Sequence, residues 1–188
     1  QLQEDSLFQL ERDLRSREAR VNELQSLVDA QSQASRLLKE RLASALFAFR
    51  DKGLKVEERD GKVYVSLAAK LLFSSGSTTV DPEGVKALTD LAQAIESETE
   101  FEVVVEGHTD DVAFTSAVSP KNNWELSVLR ATAVVEILTA NSSIAPTLLS
   151  ASGRSEFHPV NPEDRDSNRR IEVILAPKLD QLFDLLED

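Results

Sequence analysis

Residues 103–114 read VVVEGHTDDVAF, an apolar run that passes directly into a glycine, a histidine, a threonine and two carboxylates. Three consecutive valines predict a β-strand, because β-branched side chains fit a pleated, half-buried surface. A strand that ends in GHTDD delivers its polar side chains to a loop at the edge of a sheet. Such a loop can hold a catalytic acid, a set of metal ligands or an anionic site for a cationic group.

Patterns on both sides of this strand predict a hairpin and two helices. Residues 54–67 alternate in polarity around Asp60-Gly61, which is typical of a β-hairpin with a tight turn. Asp81 before Pro82 predicts a helix start, with Asp81 as the N-cap. A second helix is predicted over residues 123–140, and its inward stripe includes Leu129.

Two further short strands complete the predicted fold. They cover residues 147–153 and 170–176, and the second reads RIEVILA. The order β-β-α-β-α-β-β indicates an α+β sandwich, in which helices pack on one face of a mixed β-sheet.

The first 52 residues carry a different pattern, a heptad repeat without glycine or proline. Positions at alternating spacings of three and four predict a long helix that forms a coiled-coil stalk, as a homodimer. The alternative is a helix that folds back on the following domain. All but three of the seam positions are apolar: Leu7, Leu10, Leu14, Arg17, Val21, Leu24, Val28, Gln31, Ser35, Leu38, Leu42, Ala45 and Phe49.

Composition restricts the classes of partner. The absence of cysteine excludes disulfides and thiolate chemistry. The net charge of −12 lies mainly on residues 61–188, so neither nucleic acid nor an anionic lipid surface is an expected partner. No run approaches 18 apolar residues, which predicts no membrane span within the chain. Because residue 1 is glutamine, we expect a processed form or a fragment, with any membrane anchor upstream.

Catalytic and metal chemistry are weakly supported by these residues. His108, Asp110 and Asp111 suggest a metal site, but the other histidine, His158, lies in a separate loop. No GxSxG turn or phosphate-binding glycine loop is present. The sequence therefore predicts a protein that is not an enzyme and that holds no metal or cofactor.

Arginines supply the remaining candidate chemistry. Arg130 lies on the predicted helix that follows the GHTDD loop, and Arg165, Arg169 and Arg170 form a local basic cluster. Such a cluster can bind an anion. The alternative is a set of surface ion pairs with neighbouring carboxylates, each of which contributes little to stability.

Four ordered motifs carry a resemblance to a known family. The motifs are GHTD at 107–110, NWELSVLRA at 123–131, SASGRSEFHPV at 150–160 and RDSNRRIEV at 165–173. Together they resemble the OmpA-like peptidoglycan-binding domain of OmpA proteins, peptidoglycan-associated lipoproteins and MotB-type stator proteins. The match spans residues 54–176, and the long loop after GHTD is similar to the MotB-type branch. The implied organisation is a stalk at 1–52, this domain at 54–176 and a C-terminal amphipathic helix at 177–188.

The resemblance implies a ligand, the diaminopimelate residue of the peptidoglycan stem peptide. The side-chain end of diaminopimelate is a zwitterion, so Asp110 is expected to bind its ammonium and Arg130 its carboxylate. The remaining implied site residues are Thr109, Asn123 and Leu126, which line the pocket, and Arg165, Asn168 and Arg169, which order loops or contact ligand. His108 is expected to be a packing residue.

The function that follows is a periplasmic cell-wall anchor that ties a membrane protein or lipoprotein to the wall. One alternative is a MotB-like stator subunit of an ion-driven motor, whose transmembrane helix would precede residue 1. A second is a wall amidase or hydrolase that uses His108 and Asp110. A third is a dimerisation module with a decayed pocket, although Asp110 and Arg130, the two residues implied to clamp the zwitterion, are both present.

Overall fold

The computed structural model describes the backbone of residues 2–180 and the side chains of residues 7–180. The chain divides into two compact units, Ser35–Pro177 and a second unit that combines Gln1–Ala34 with Lys178–Asp188. Most of the predicted C-terminal helix, from residue 181 onward, lies outside the described residues.

A single long helix, α1 (Leu2–Ala45), opens the chain, as the heptad pattern predicts. The seam residues Leu7, Leu10, Leu14, Val21 and Val28 are exposed in the single chain. Among the described residues, no helix is both long enough and apolar enough to cross a membrane.

Five strands form one mixed sheet in the order β1-β2-β5-β3-β4. Strands β3 and β4 are parallel and the other neighbours are antiparallel, which confirms the predicted mixed sheet. The strands are β1 (Leu54–Arg59), β2 (Lys62–Ala68), β3 (Phe101–His108), β4 (Leu149–Gly153) and β5 (Arg170–Pro177).

Helices of Ser35–Pro177 connect these strands, and their buried residues share one core with a single face of the sheet. Two of the helices correspond to those predicted from the sequence. The helices are α2 (Ala69–Leu72), α3 (Pro82–Ile95), α4 (Asn123–Ala140) and α5 (Arg165–Asn168), with 3₁₀ turns at Phe47–Lys52 and Pro146–Leu148.

The predicted hairpin joins β1 to β2. Asp60 and Gly61 have φ angles of 52° and 73°, as a type I′ turn requires, and Arg59 pairs with Lys62 across it. This short connection places β2 beside β1, so that alternate residues of β2 (Val63, Val65 and Leu67) enter the core.

The core of the Ser35–Pro177 unit begins upstream of the hairpin. Leu38, Leu42 and Leu46 from the end of α1, and Phe49 after it, are buried in the same apolar cluster as the sheet. The domain boundary near residue 54 stays a prediction. The burial of these residues nevertheless shows that the compact unit uses the last part of the heptad stripe.

One local prediction is wrong, and another is confirmed in position but not in its hydrogen bond. Leu129, expected on the inward stripe of α4, is 37% exposed, whereas the neighbouring Arg130 is 6% exposed. Asp81 occupies the N-cap position of α3 but makes no capping bond, and its carboxylate accepts a hydrogen bond from Ser74 Oγ at 3.0 Å. The burial of Arg130 in place of Leu129 matters most, because it brings a buried cation to the end of β3.

Candidate binding site

A cavity of about 470 Å³ opens beyond the end of β3, beside the N-terminal half of α4. Six of the implied site residues line it: Thr109, Asp110, Asn123, Leu126, Arg130 and Arg169, which lies just ahead of β5. The remaining lining residues are Ala69, Lys70, Phe73, Ser75, Gly76, Val112, Ala113 and Phe114.

Asp110 is the carboxylate of this cavity and is 7% exposed. Its Oδ1 accepts a hydrogen bond from the backbone N–H of Val112 at 3.1 Å, which fixes the side chain relative to the loop. Its Oδ2 pairs with Nη1 of Arg169. A carboxylate oxygen has two lone-pair sites, so Asp110 retains the capacity to accept further hydrogen bonds.

Arg130 is the buried cation of the cavity. Its Nε donates to the backbone carbonyl of Ser77 at 2.8 Å, and its guanidinium lies 4.8 Å from the ring centroid of Phe73. Burial, together with the nearby charge of Arg169, lowers the pKa of Arg130 to about 10. No hydrogen bond or ion pair to a described residue engages its terminal amino groups, which suits it to a bidentate anion.

Arg169 connects the cavity to the surface. Besides Asp110, its guanidinium pairs with Asp166, and its side chain is 42% exposed. Arg169 therefore neutralises Asp110 in the absence of ligand. A ligand ammonium must either share Asp110 with Arg169 or displace it, and Arg169 then becomes available to a ligand carboxylate.

Thr109 and Asn123 order the loop that follows β3. The N–H of Thr109 donates to the carbonyl of Ser155 at 2.9 Å. Asn123 Oδ1 accepts from the N–H of Phe114 at 3.2 Å, and its Nδ2 donates to Val112 O at 3.0 Å. Since both side-chain groups of Asn123 are engaged within the protein, its main contribution is to hold the loop, and with it Asp110, in place.

Two implied site residues lie outside the cavity lining. Arg165 is exposed and forms a two-pronged ion pair with Asp111, with an Nε–Oδ1 distance of 2.6 Å. Asn168 is buried and bonds the backbone of Val160 and Asn161, so it orders the loop before α5. Arg165 and Arg169 thus form ion pairs with neighbouring carboxylates, as in the alternative given for the basic cluster.

Sequence reasoning did not single out three residues that shape the cavity. Phe73 supplies the aromatic surface under Arg130, and Lys70 adds a third cation to the lining. Glu156 Oε2 accepts from Asn123 Nδ2 at 2.7 Å and so supports the loop from the other side. Only the proximity of Phe73 to the polar stretch SSGS at 74–77 offered a sequence signal for any of them.

The charges of the cavity suit a small zwitterion or anion. One buried carboxylate and three cations line a space in which apolar groups, including Leu126, form much of the remaining wall. A charged pair of opposite signs on one carbon could contact Asp110 and a guanidinium at once.

The matched portion of the chain includes most of the residues that line this cavity. The OmpA family model matches residues 72–172, more than half of the sequence. The chain belongs to the OmpA family. Family membership agrees with the resemblance carried by the four motifs, and with the sheet and helices described above.

Several curated proteins are similar to this chain over more than half of its length. Motility protein B of Bacillus subtilis is 28% identical over 118 residues, which cover 61% of this chain and 45% of that protein. The chain spans about half the length of the curated relatives it matches.

Solved structures show the same fold. A putative MotB-like protein from Desulfovibrio vulgaris is 25% identical with a TM-score of 0.72, covering 82% of this chain and 99% of that one. The cell wall anchor of the T6SS from Pseudomonas aeruginosa is 30% identical with a TM-score of 0.64, covering 73% and 97%.

Proposed function

We propose that this chain is a non-catalytic, periplasmic cell-wall anchor whose OmpA-family domain binds the diaminopimelate of the peptidoglycan stem peptide. Asp110 binds the side-chain ammonium of diaminopimelate, and Arg130 binds the adjoining carboxylate. The observation that carries this proposal is the convergence of a buried carboxylate and a buried guanidinium on one cavity. Similarity to the cell wall anchor of the T6SS supports the same class of function.

The contacts of both residues favour recognition over structural pairing. In the guanidinium of Arg130, Nε alone hydrogen-bonds to a described residue, so the terminal amino groups remain available to a ligand. Asp110 keeps lone pairs beyond those used by Val112 and Arg169. Because both groups are buried, the ligand loses little interaction strength to solvent screening.

The test is calorimetric titration of the chain with a stem peptide that contains diaminopimelate. A hydrogen bond to a charged group contributes about 1.5–3 kcal/mol, which corresponds to roughly a ten- to hundredfold change in Kd. Asp110→Asn and Arg130→Gln are each expected to weaken binding by at least this factor. A stem peptide with lysine in place of diaminopimelate lacks the side-chain carboxylate and should bind the wild type as weakly as diaminopimelate binds Arg130→Gln.

Matched controls come from the exposed ion pair beside the cavity. Asp111→Asn and Arg165→Gln remove the same charges a short distance from Asp110 but leave the cavity lining intact. Both are expected to bind within threefold of the wild type. Circular dichroism establishes that each variant is folded. A folded Asp110→Asn or Arg130→Gln protein with wild-type affinity would refute the proposal that these two residues bind the diaminopimelate zwitterion.

The anchor is proposed to be a homodimer joined through α1 and tied to a membrane by a segment upstream of residue 1. The exposed seam from Leu7 to Val28 supports this arrangement, because an apolar stripe on a long helix is stabilised by a second copy. Light scattering of the chain should give a dimer, and Leu10→Glu with Leu14→Glu should give a monomer. A monomeric wild type at micromolar concentration would contradict the coiled coil.

A second candidate function is a stator subunit of an ion-driven motor. The similarity to Motility protein B favours it, although the matched region covers less than half of that protein. The two functions differ in the sequence before residue 1. A stator requires a transmembrane helix with an ion-binding carboxylate there, whereas a lipoprotein anchor requires a lipidated cysteine. Sequencing the complete gene and testing the swimming of a deletion strain distinguish them.

A further inference from the structure

The sheet face opposite the helices carries a second group of charged residues, within Ser35–Pro177. Glu106 of β3 pairs directly with Glu172 of β5, and His108 lies two residues beyond Glu106 on the same face. Like charges directly opposite one another destabilise a sheet unless another group compensates them. Arg154 and Arg170 supply that compensation through ion pairs with Glu106 and Glu172.

His108 occupies the space between the two carboxylates. It is only 4% exposed, and neither ring nitrogen has a hydrogen-bond partner among the described residues. Its Nε2 lies 3.6 Å from Glu106 Oε2 and 3.8 Å from Glu172 Oε2, both beyond hydrogen-bond distance. Buried polar groups are rarely left without partners, so Nε2 points to a ligand shared with the two carboxylates.

We propose that Glu106 Oε2, His108 Nε2 and Glu172 Oε2 bind a divalent transition-metal ion, with Zn²⁺ as the reference ion. One potential ligand atom from each of the three residues lies within 4.8 Å of the other two. A tetrahedral zinc with bonds of about 2.0–2.1 Å separates its ligand atoms by about 3.3 Å. The two distances from Nε2, 3.6 and 3.8 Å, exceed that value by half an ångström or less, so small side-chain rotations can bring each carboxylate to the separation that a shared zinc requires.

The arginines around the cluster resemble the outer shell of a metal site. Arg154 Nη2 holds Glu106 Oε1 at 2.7 Å, and Arg170 Nε holds Glu172 Oε1 at 2.8 Å. Each arginine thus engages one oxygen of its carboxylate and leaves Oε2 directed towards His108. Hydrogen bonds of this kind orient carboxylate ligands and raise metal affinity.

The cluster is accessible from solvent. It lines a cleft of about 390 Å³ that also includes His158, whose ring centroid is 6.4 Å from that of His108. A metal ion can therefore reach the three residues from the sheet face. Asp110 and Asp111, the partners that the sequence suggested for His108, are paired with arginines and take no part.

The charges of the cluster also set the selectivity. Arg154 and Arg170 already balance the two carboxylates, so the site gives a dication little net electrostatic attraction. Binding then depends on the bond to imidazole nitrogen, which Zn²⁺, Ni²⁺ and Co²⁺ form well and which Mg²⁺ and Ca²⁺ do not. The expected order of affinity is therefore zinc, nickel and cobalt well above magnesium and calcium.

Calorimetric titration with ZnCl₂ tests the site, using the untagged chain after treatment with chelator. The background is low, because the chain has no cysteine and two histidines. We expect one zinc per chain, and at least a tenfold loss of affinity in both Glu172→Gln and His108→Gln. Glu102→Gln, an exposed carboxylate on the same strand and face, is the matched control and should bind zinc like the wild type.

Three results would overturn this assignment. The first is a wild type that binds zinc only at millimolar concentration. The second is unchanged zinc affinity in Glu172→Gln and His108→Gln, which would place the ion elsewhere. The third is calcium or magnesium binding as tight as that of zinc. Glu172→Gln keeps the size of the side chain, so it provides a folded variant even where His108→Gln destabilises the domain.

Discussion

Leu42 connects the long helix to the folded domain, and replacing it tests where that domain begins. It is fully buried on α1, in one cluster with the core of the sheet, and its neighbours Leu38 and Leu46 are 2% and 1% exposed. Truncating a buried leucine to alanine costs about 2–5 kcal/mol, because it removes apolar contacts and leaves a cavity. We expect Leu42→Ala to lower the free energy of unfolding by about 3 kcal/mol.

Urea denaturation and thermal melting measure this loss. For a chain of this size, 3 kcal/mol corresponds to a fall in Tm of roughly 6–12 °C. Leu37→Ala is the matched control, since Leu37 lies on the same helix and is 59% exposed. Its expected effect is within about 0.5 kcal/mol of zero, as for other surface substitutions.

Protein concentration separates two roles for Leu42. If Leu42 packs within one chain, the loss of unfolding free energy caused by Leu42→Ala is the same at low and high protein concentration. If Leu42 instead lies in the seam of a dimer, the loss depends on concentration, because association stabilises the folded state by mass action. A Leu42→Ala variant as stable as Leu37→Ala would refute the burial of this segment, and a concentration-dependent loss would reassign it to the coiled coil.

Two further predictions concern β3. An alanine at Gly107 would place its Cβ 2.0 Å from the backbone oxygen of Ser127, so Gly107→Ala should cost at least about 2 kcal/mol; an unchanged urea midpoint would contradict this close packing. His108, and to a smaller extent Arg154, lower the pKa of Glu106 to about 2 from 4.5. The stabilisation that this lowered pKa provides is complete above pH 4.5 and is lost as the pH falls towards 2. Because glutamine does not titrate, metal-free Glu106→Gln should lose less Tm than the wild type over that range. Equal slopes of Tm against pH in the two proteins would contradict this role of Glu106.

Local patterns predict much of this fold because they reflect local physics. The Asp60-Gly61 turn needs two residues with positive φ, and the observed hairpin has them. The valines of residues 103–105 lie in a strand, and the helix predicted over residues 123–140 begins and ends as expected. Each feature depends on neighbours within a few positions, where backbone conformation and side-chain period are decided.

The candidate site could be predicted only in part. The motif resemblance indicated Asp110 and Arg130, and both line one cavity. It also included Arg165 and Asn168, which lie outside the lining because one pairs with Asp111 and the other bonds the backbone of a loop. A motif records which residues occur together, but it does not distinguish residues that contact a ligand from those that support the loops.

By itself, the sequence determined the order of the five strands with α3 and α4, the hairpin, the heptad stripe and membership of the OmpA family. Tertiary structure decided that Arg130 rather than Leu129 is buried, and that Leu42 belongs to the core of the domain. It also decided that Glu106 and Glu172, distant in the chain, meet at His108. Periodicity specifies which residues share a face of one element, whereas pairing between β3 and β5 specifies which faces meet, and no local pattern contains that information.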